Sequence, residues 1–115
     1  MEQFRLQGQV VLITGGGSGL GRGIGQAVAE LGAAVVAADV RTDQAEEAAA
    51  TLRAQGFRAA AVEMDVTRPE SIAAGLQTAA EAFGHVDVLV NNAGITRMQG
   101  IGDITPRDWE QVFSI

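Results

Sequence analysis

The sequence predicts an α/β fold: a doubly wound, parallel sheet with helices on both faces. Three observations carry this reading. Short β-branched apolar runs alternate with segments whose apolar residues recur at helical spacing. Almost no linker separates them, so strand and helix succeed one another as βαβ units do. The 115 residues, 47% apolar and 19% charged, suit one domain with a modest core and do not read as disordered.

The elements follow in order. QVVLIT, Gln9 to Thr14, is the kind of run a doubly covered parallel strand needs. Leu20, Ile24, Ala27, Val28 and Leu31 then recur as one helical face, with Gly32 as C-cap. AVVAAD, Ala34 to Asp39, is a second buried strand. Thr42 or Asp43 caps the next helix, which runs through AEEAAATLRA to Gly56. RAAAVEMDV holds the third strand. In TRPE, Thr67 is the expected N-cap, Pro69 stands in the first turn, and Glu70 completes a capping box. Ile72, Leu76, Ala79, Ala80 and Phe83 form that helix's apolar face, and Gly84 ends it. VDVLV, Val86 to Val90, is the fourth strand. A loop is expected from NNAG to Asp103. TPRDWEQVFSI then opens a further helix, with Thr105 as cap and Pro106 at its first position. That helix carries no stop signal, so the chain reads as the N-terminal portion of a longer domain.

Composition narrows the function classes. A net charge of −6 argues against a nucleic-acid binder or a polybasic membrane patch. The absence of cysteine excludes disulfide scaffolds, thiolate metal sites and cysteine nucleophiles. MEQFRLQGQV lacks the basic and apolar segments of a signal peptide, and no apolar run approaches a membrane span. The expected address is cytoplasmic. All eight basic residues are arginine, so the chain has no lysine, and it has no tyrosine either.

LITGGGSGLGRGIG, Leu12 to Gly25, spends seven of fourteen residues on glycine. A strand that enters a helix through such a turn points the helix N-terminus, with its free N–H groups and positive dipole end, at the sheet edge. Glycine lets a phosphate approach those groups closely. The P-loop pattern fails here, because Arg22 and Gly23 stand where Lys and Ser or Thr are needed. The common dinucleotide spacing G-x-G-x-x-G fails as well. What is present is T-G-x-x-x-G-x-G, using Thr14, Gly15, Gly19 and Gly21.

That motif resembles the nucleotide-binding signature of the short-chain dehydrogenase/reductase family, a Rossmann-like fold. Three further features support the resemblance. Asp39 ends the second strand 18 residues past Gly21, where an acid is expected to hold the ribose hydroxyls. Asp65-Val66 closes the third strand, where the family carries an acid near the adenine. Asn91, Asn92, Ala93 and Gly94 follow the fourth strand as the family's NNAG. All fall at the carboxyl ends of successive strands, the edge at which open α/β sheets bind ligands. The expected cofactor site is therefore Gly15, Ser18, Gly19, Leu20, Gly21, Asp39, Asp65, Val66 and the four NNAG residues. Within it, Gly15, Gly19 and Gly21 are expected to leave bare amides open to a pyrophosphate.

Asp39 favours NAD, because a carboxylate accepts from the ribose hydroxyls and repels the 2′-phosphate of NADP. Arg41 reads either as a phosphate partner or as a solvated arginine at a helix start. Ser18 is more plausible as a phosphate-side donor than as a nucleophile. NNAGITR resembles the 3-oxoacyl carrier-protein reductases of the family, but these usually use NADP, and Asp39 argues against carrying over their substrate.

The resemblance implies hydride transfer between nicotinamide and a carbonyl or alcohol carbon, with a dinucleotide and a small alcohol or ketone as partners and a homo-oligomeric parent enzyme. It also implies a serine, a tyrosine, a lysine four residues later and a relay asparagine. Without tyrosine or lysine these 115 residues cannot supply Y-x-x-x-K, and WEQVFSI ends one residue short of the relay position. No catalytic residue is assigned, and the isolated chain is expected to be inactive. A non-catalytic nucleotide-binding module is the alternative.

The remaining candidates read as structural. His85 is a surface turn residue without companions for a metal site, Asp87 begins a strand, and Trp109 belongs to a core or interface. A family strand order of 3-2-1-4 would leave the fourth strand as an aggregation-prone edge.

Overall fold

The computed structural model describes residues 6–91 and 94–97. Strand β1 spans Val10–Thr14, β2 Ala34–Asp39, β3 Ala59–Glu63, β4 Val88–Asn91 and β5 Gly94–Arg97. Helix α1 spans Gly19–Glu30, α2 Thr42–Ala54 and α3 Pro69–Phe83. The sheet order is β3-β2-β1-β4-β5, with the first four strands parallel. The doubly wound architecture and the 3-2-1-4 order are as predicted.

Both faces of β1 are covered, which is why it reads as an unbroken apolar run. Val10 and Leu12 point into a cluster with Val36, Ile72, Leu76 and Leu89, beneath α3. Val11 and Ile13 point the other way, with Val35, Ala29, Ala49 and Leu52, beneath α1 and α2. Leu12, Leu76 and Leu89 are fully buried, and each such side chain contributes about 1.5–3 kcal/mol.

The structure corrects four expectations. First, the face α1 turns to the sheet is Gly21, Gly25 and Ala29, whereas Leu20 is 69% exposed. Small residues spaced by four let the helix lie close on the sheet, with Ile24 and Val28 packing along the border of the cluster. Second, neither Thr42 nor Asp43 caps α2: Arg41 is the N-cap and makes no side-chain cap bond. Its carbonyl accepts from Gln44 and Ala45 while its own N–H is held by Asp39, so the acid of β2 organises the helix start. Third, Thr67 does not cap α3. Its hydroxyl and N–H both donate to Asp65 Oδ1, at 2.6 and 3.0 Å, and Arg68 is the N-cap before Pro69. An Asx turn has won the hydroxyl that a capping box would have used.

Fourth, the segment after β4 is not simply a loop. Gly94–Arg97 pairs antiparallel with β4, Asn91 opposite Gly94 and Val88 opposite Arg97. β4 therefore has a partner on each side and is not a bare edge. The β-branched Ile95 and Thr96 suit a strand, and pairing satisfies backbone groups that β4 would otherwise leave open. The expected helix from Thr105 onward, with Trp109, lies outside the described residues.

Helix ends behave as the glycines suggested. Gly32, at φ +101°, follows α1; its N–H reaches Ala29 O while that of Ala33 reaches Val28 O, which is the Schellman pattern. Gly84 closes α3 as expected.

Candidate functional site

The glycine turn joins β1 to α1 at the carboxyl edge of the parallel strands. Gly15 bends it with φ +66°, a region that residues with a Cβ resist. Ser18 closes it: its N–H and hydroxyl both donate to Gly15 O, at 3.0 and 2.7 Å, and its oxygen accepts the N–H of Gly21 at 3.1 Å. Ser18 is thus the N-cap of α1. Its backbone carbonyl takes the N–H of Arg22 at 2.8 Å. Of the four amides that begin the helix, those of Gly19 and Leu20 find no acceptor among the described residues. The open amides of the helix terminus are these two. Gly21, expected to offer one, has already given its N–H to Ser18.

The glycines divide by what surrounds them. A Cβ on Gly21 would overlap the carbonyl oxygen of Gly15. On Gly16 it would sit 2.8 Å from Ala37 Cα, and on Gly17 2.8 Å from Gln44 Cβ. On Gly19 it would meet nothing within 4 Å. At three positions the packing of the protein leaves no room for a Cβ, whereas the space beside Gly19 is open.

Asp39 is buried, 5% exposed, at the end of β2. Its Oδ2 accepts the N–H of Gly17 at 3.2 Å; its Oδ1 accepts the N–H of Arg41 at 3.1 Å and Arg41 Nε at 3.4 Å. Burial works to raise its pKa, but the Arg41 amide and guanidinium and the Gly17 amide outweigh it. The carboxyl is held below the usual aspartate range. Arg41 is a half-exposed arginine at the start of α2, one of the two readings expected of it, and its guanidinium also pairs with Asp39.

Asp65 and Val66 stand past the end of β3, at the same edge. The hydroxyl and N–H of Thr67 hold the Asp65 carboxyl below its usual range, and the Asp65 N–H donates to Ser71 Oγ at 2.8 Å. Asn91 ends β4 and Gly94 opens β5; Asn92 and Ala93 lie outside the described residues. At the floor of the edge, Thr14 Oγ1 donates to Val90 O at 3.4 Å and ties β1 to β4.

The exposed large apolar side chains among the described residues are Leu20 at 69%, Val40 at 56% and Val66 at 39%. Each follows the glycine turn, β2 or β3, so all three belong to one sheet edge. Apolar exposure gathered in one place marks a surface that something covers.

Asp87 lies at the opposite end of the sheet. Its Oδ2 accepts the Val10 N–H at 2.8 Å and meets His85 Nε2 at 2.8 Å, so Asp87 ties the segment entering β4 to β1, with His85 paired beside it. Among the described residues no group of three or more His, Asp or Glu could hold a metal ion, and no helix is long and apolar enough to cross a membrane.

Sequence reasoning missed Gly17 and Arg22. Arg22 Nε donates to Gly17 O at 3.2 Å, and its Nη2 reaches Gln44 O at 3.4 Å and Glu47 Oε1 at 2.9 Å. Nothing local marks an arginine after a glycine motif as a brace, because its partners on α2 are 22 and 25 positions away.

Comparison with known proteins decides the family. The short chain dehydrogenase family model matches residues 9–115. The chain belongs to the short-chain dehydrogenase family. Among curated relatives, this short-chain dehydrogenase chain is 36% identical over 107 residues to the uncharacterized oxidoreductase YxjF of Bacillus subtilis, covering 93% of this chain and 42% of that protein. A short-chain dehydrogenase/reductase from Burkholderia phymatum, solved in complex with NAD, matches at TM-score 0.69 and 39% identity, over 77% of this chain and 31% of that one. A 7α-hydroxysteroid dehydrogenase, solved with NADH and 7-oxo glycochenodeoxycholic acid, matches at TM-score 0.74 and 34% identity, over 78% and 35%. The chain spans less than half the length of each.

Proposed function

We propose that this chain forms the cofactor-binding part of an NAD-dependent oxidoreductase that moves hydride between nicotinamide and a carbonyl or alcohol carbon. The observation that carries the reading is the pairing of two open helix-terminal amides, at Gly19 and Leu20, with an ionised acid at the end of β2. Helix N-terminal amides suit a pyrophosphate. Asp39 suits a ribose hydroxyl: each carboxylate oxygen has two lone pairs, and while Oδ1 accepts both the N–H and Nε of Arg41, Oδ2 accepts the Gly17 N–H and retains one acceptor site.

Gly15, Ser18, Gly19, Leu20 and Gly21 would shape and line the pyrophosphate site, with Asp39 beside the ribose and Asp65 and Val66 on the adenine side. Asn91, Asn92, Ala93 and Gly94 would border the rest of the dinucleotide. The nicotinamide supplies or accepts the hydride when bound. The same reading gives the whole enzyme a small alcohol or ketone as substrate, a homo-oligomeric state and a cytoplasmic address.

NAD is favoured over NADP because Asp39, like any aspartate near its ordinary pKa or below it, is charged at neutral pH, where a 2′-phosphate would face like charge. A second reading, a non-catalytic nucleotide-binding module, rests on the absence of tyrosine and lysine from these residues. The oxidoreductase reading needs its proton-transfer groups elsewhere in the protein, so sequence beyond Ile115 with a serine and Y-x-x-x-K separates the two.

The test is fluorescence titration of the chain with NADH, NADPH and ATP plus magnesium. NADH should bind at least about tenfold more tightly than NADPH, a difference of about 1.4 kcal/mol. Equal or tighter NADPH binding removes the NAD assignment, and binding of ATP–magnesium alone removes the dinucleotide reading.

A further inference from the structure

The glycine turn faces a mechanical problem. Its two open amides must present a fixed geometry to an anion, yet glycine is the residue with most backbone freedom to lose. Something other than the turn's own side chains has to hold it.

We propose that Arg22 is a positioning residue for the dinucleotide: its guanidinium fastens the Gly17 peptide to α2 and thereby fixes where the Gly19 and Leu20 amides point. This rests on the dinucleotide reading above. The Gly17 residue is held from three sides. Its N–H donates to Asp39 Oδ2 at 3.2 Å, its carbonyl accepts from Arg22 Nε at 3.2 Å, and its Cα faces Gln44 with no room for a Cβ. Arg22 continues to α2 through Gln44 O at 3.4 Å and Glu47 Oε1 at 2.9 Å. Arg22 itself rides on the first turn of α1, where its N–H is bound by Ser18 O at 2.8 Å. One planar fork therefore joins the turn, α1 and the start of α2.

Two consequences follow for an anion. A backbone carbonyl committed to a guanidinium is not free to turn toward the crevice, where its partial negative charge would oppose a phosphate. The amides of Gly19 and Leu20 are also held in register with Asp39, because Gly17 is bonded to Arg22 on one side and to Asp39 on the other. The Glu47 end of the fork is solvent-exposed and worth little on its own. The fork's role lies in its shape, which lysine does not reproduce.

The test uses the whole chain, labelled for amide hydrogen exchange without nucleotide and titrated separately with NADH. Arg22→Gln should speed exchange at Gly17 and Gly21 by about tenfold, leave the β1 and β2 amides protected, and weaken NADH binding about tenfold, as loss of charge-assisted hydrogen bonds implies. Arg22→Lys should stay weakened, and Glu47→Gln should leave exchange and binding near those of the parent. Unchanged exchange at the turn overturns the proposal. So does protection lost equally across the sheet, which would make Arg22 a general stabiliser. NADH binding fully restored by lysine overturns it too, since charge alone would then be the cause. If the parent chain does not take up NADH, the nucleotide reading falls and the positioning role falls with it, even where the exchange results hold.

Discussion

The carboxylate of Asp39 accepts the backbone N–H of Gly17 at 3.2 Å, across 22 positions of sequence. The residue expected to select the cofactor therefore also braces the turn expected to hold its phosphates. Changes at Asp39 must act on stability and binding together.

Asp39→Asn makes that coupling measurable. The amide keeps one acceptor but turns an NH2 toward the N–H of Gly17 or of Arg41, so a loss of about 1–3 kcal/mol is expected. It also removes the like charge facing a 2′-phosphate, so the preference for NADH over NADPH should narrow. Because the folded-state pKa of Asp39 is depressed, its contribution is complete above the usual aspartate range. That contribution disappears as pH falls through the lower folded value. Urea unfolding over a series of acid pH values should show a shallower acid limb in Asp39→Asn than in the parent.

Gly19 and Gly21 are expected to separate binding from folding. Gly21→Ala places a Cβ on the Gly15 carbonyl oxygen, and should lower the unfolding temperature sharply or prevent folding. Gly19→Ala meets no protein atom within 4 Å, so the unfolding temperature should hold while NADH affinity falls. Thermal unfolding beside an NADH titration reads both effects.

Gly25→Ala should stabilise the protein. A Cβ there would sit 3.5–3.7 Å from Val35, Ile13 and Leu52, ordinary packing distance. It would enter a cavity of about 60 Å³ behind the glycine turn, lined also by Gly21, Ala37 and Ala48. Helix propensity and cavity filling together should supply about 1 kcal/mol, a rise of a few degrees in unfolding temperature. An unfolding temperature at or below that of the parent would show that the site cannot take a methyl group.

Arg53→Ala should promote self-association. β3 is an outer strand of the sheet, and the carbonyl of Arg58 and the N–H of Met64 face β2. The alternate residues, Ala59 among them, therefore turn outward. Arg53 Nη1 covers the Ala59 carbonyl at 3.0 Å while its other nitrogen pairs with Glu46. Without that cover the strand offers an acceptor to a second chain. Light scattering against concentration should rise in Arg53→Ala, with little change in circular dichroism.

Much of the fold was legible in the sequence because it depends on local pattern. The runs at Val10–Thr14 and Ala34–Asp39, buried along their whole length, could only be strands covered on both sides. Gly32 and Gly84 sat where helices had to stop. The glycine motif, Asp39, Asp65 and Asn91 fell at strand ends by spacing alone. Tertiary structure decided what depended on competition between distant partners. Thr67 could cap α3 or bond Asp65, and the shorter Asx turn took it. The face α1 buries was settled by how closely Gly21, Gly25 and Ala29 let it approach the sheet, which hydrophobicity does not report. Arg22 bracing Gly17, Asp39 organising both the turn and α2, and Gly94–Arg97 closing on β4 all join groups through space. A linear sequence states which donors and acceptors exist. Only the folded chain sets the distances that choose among them.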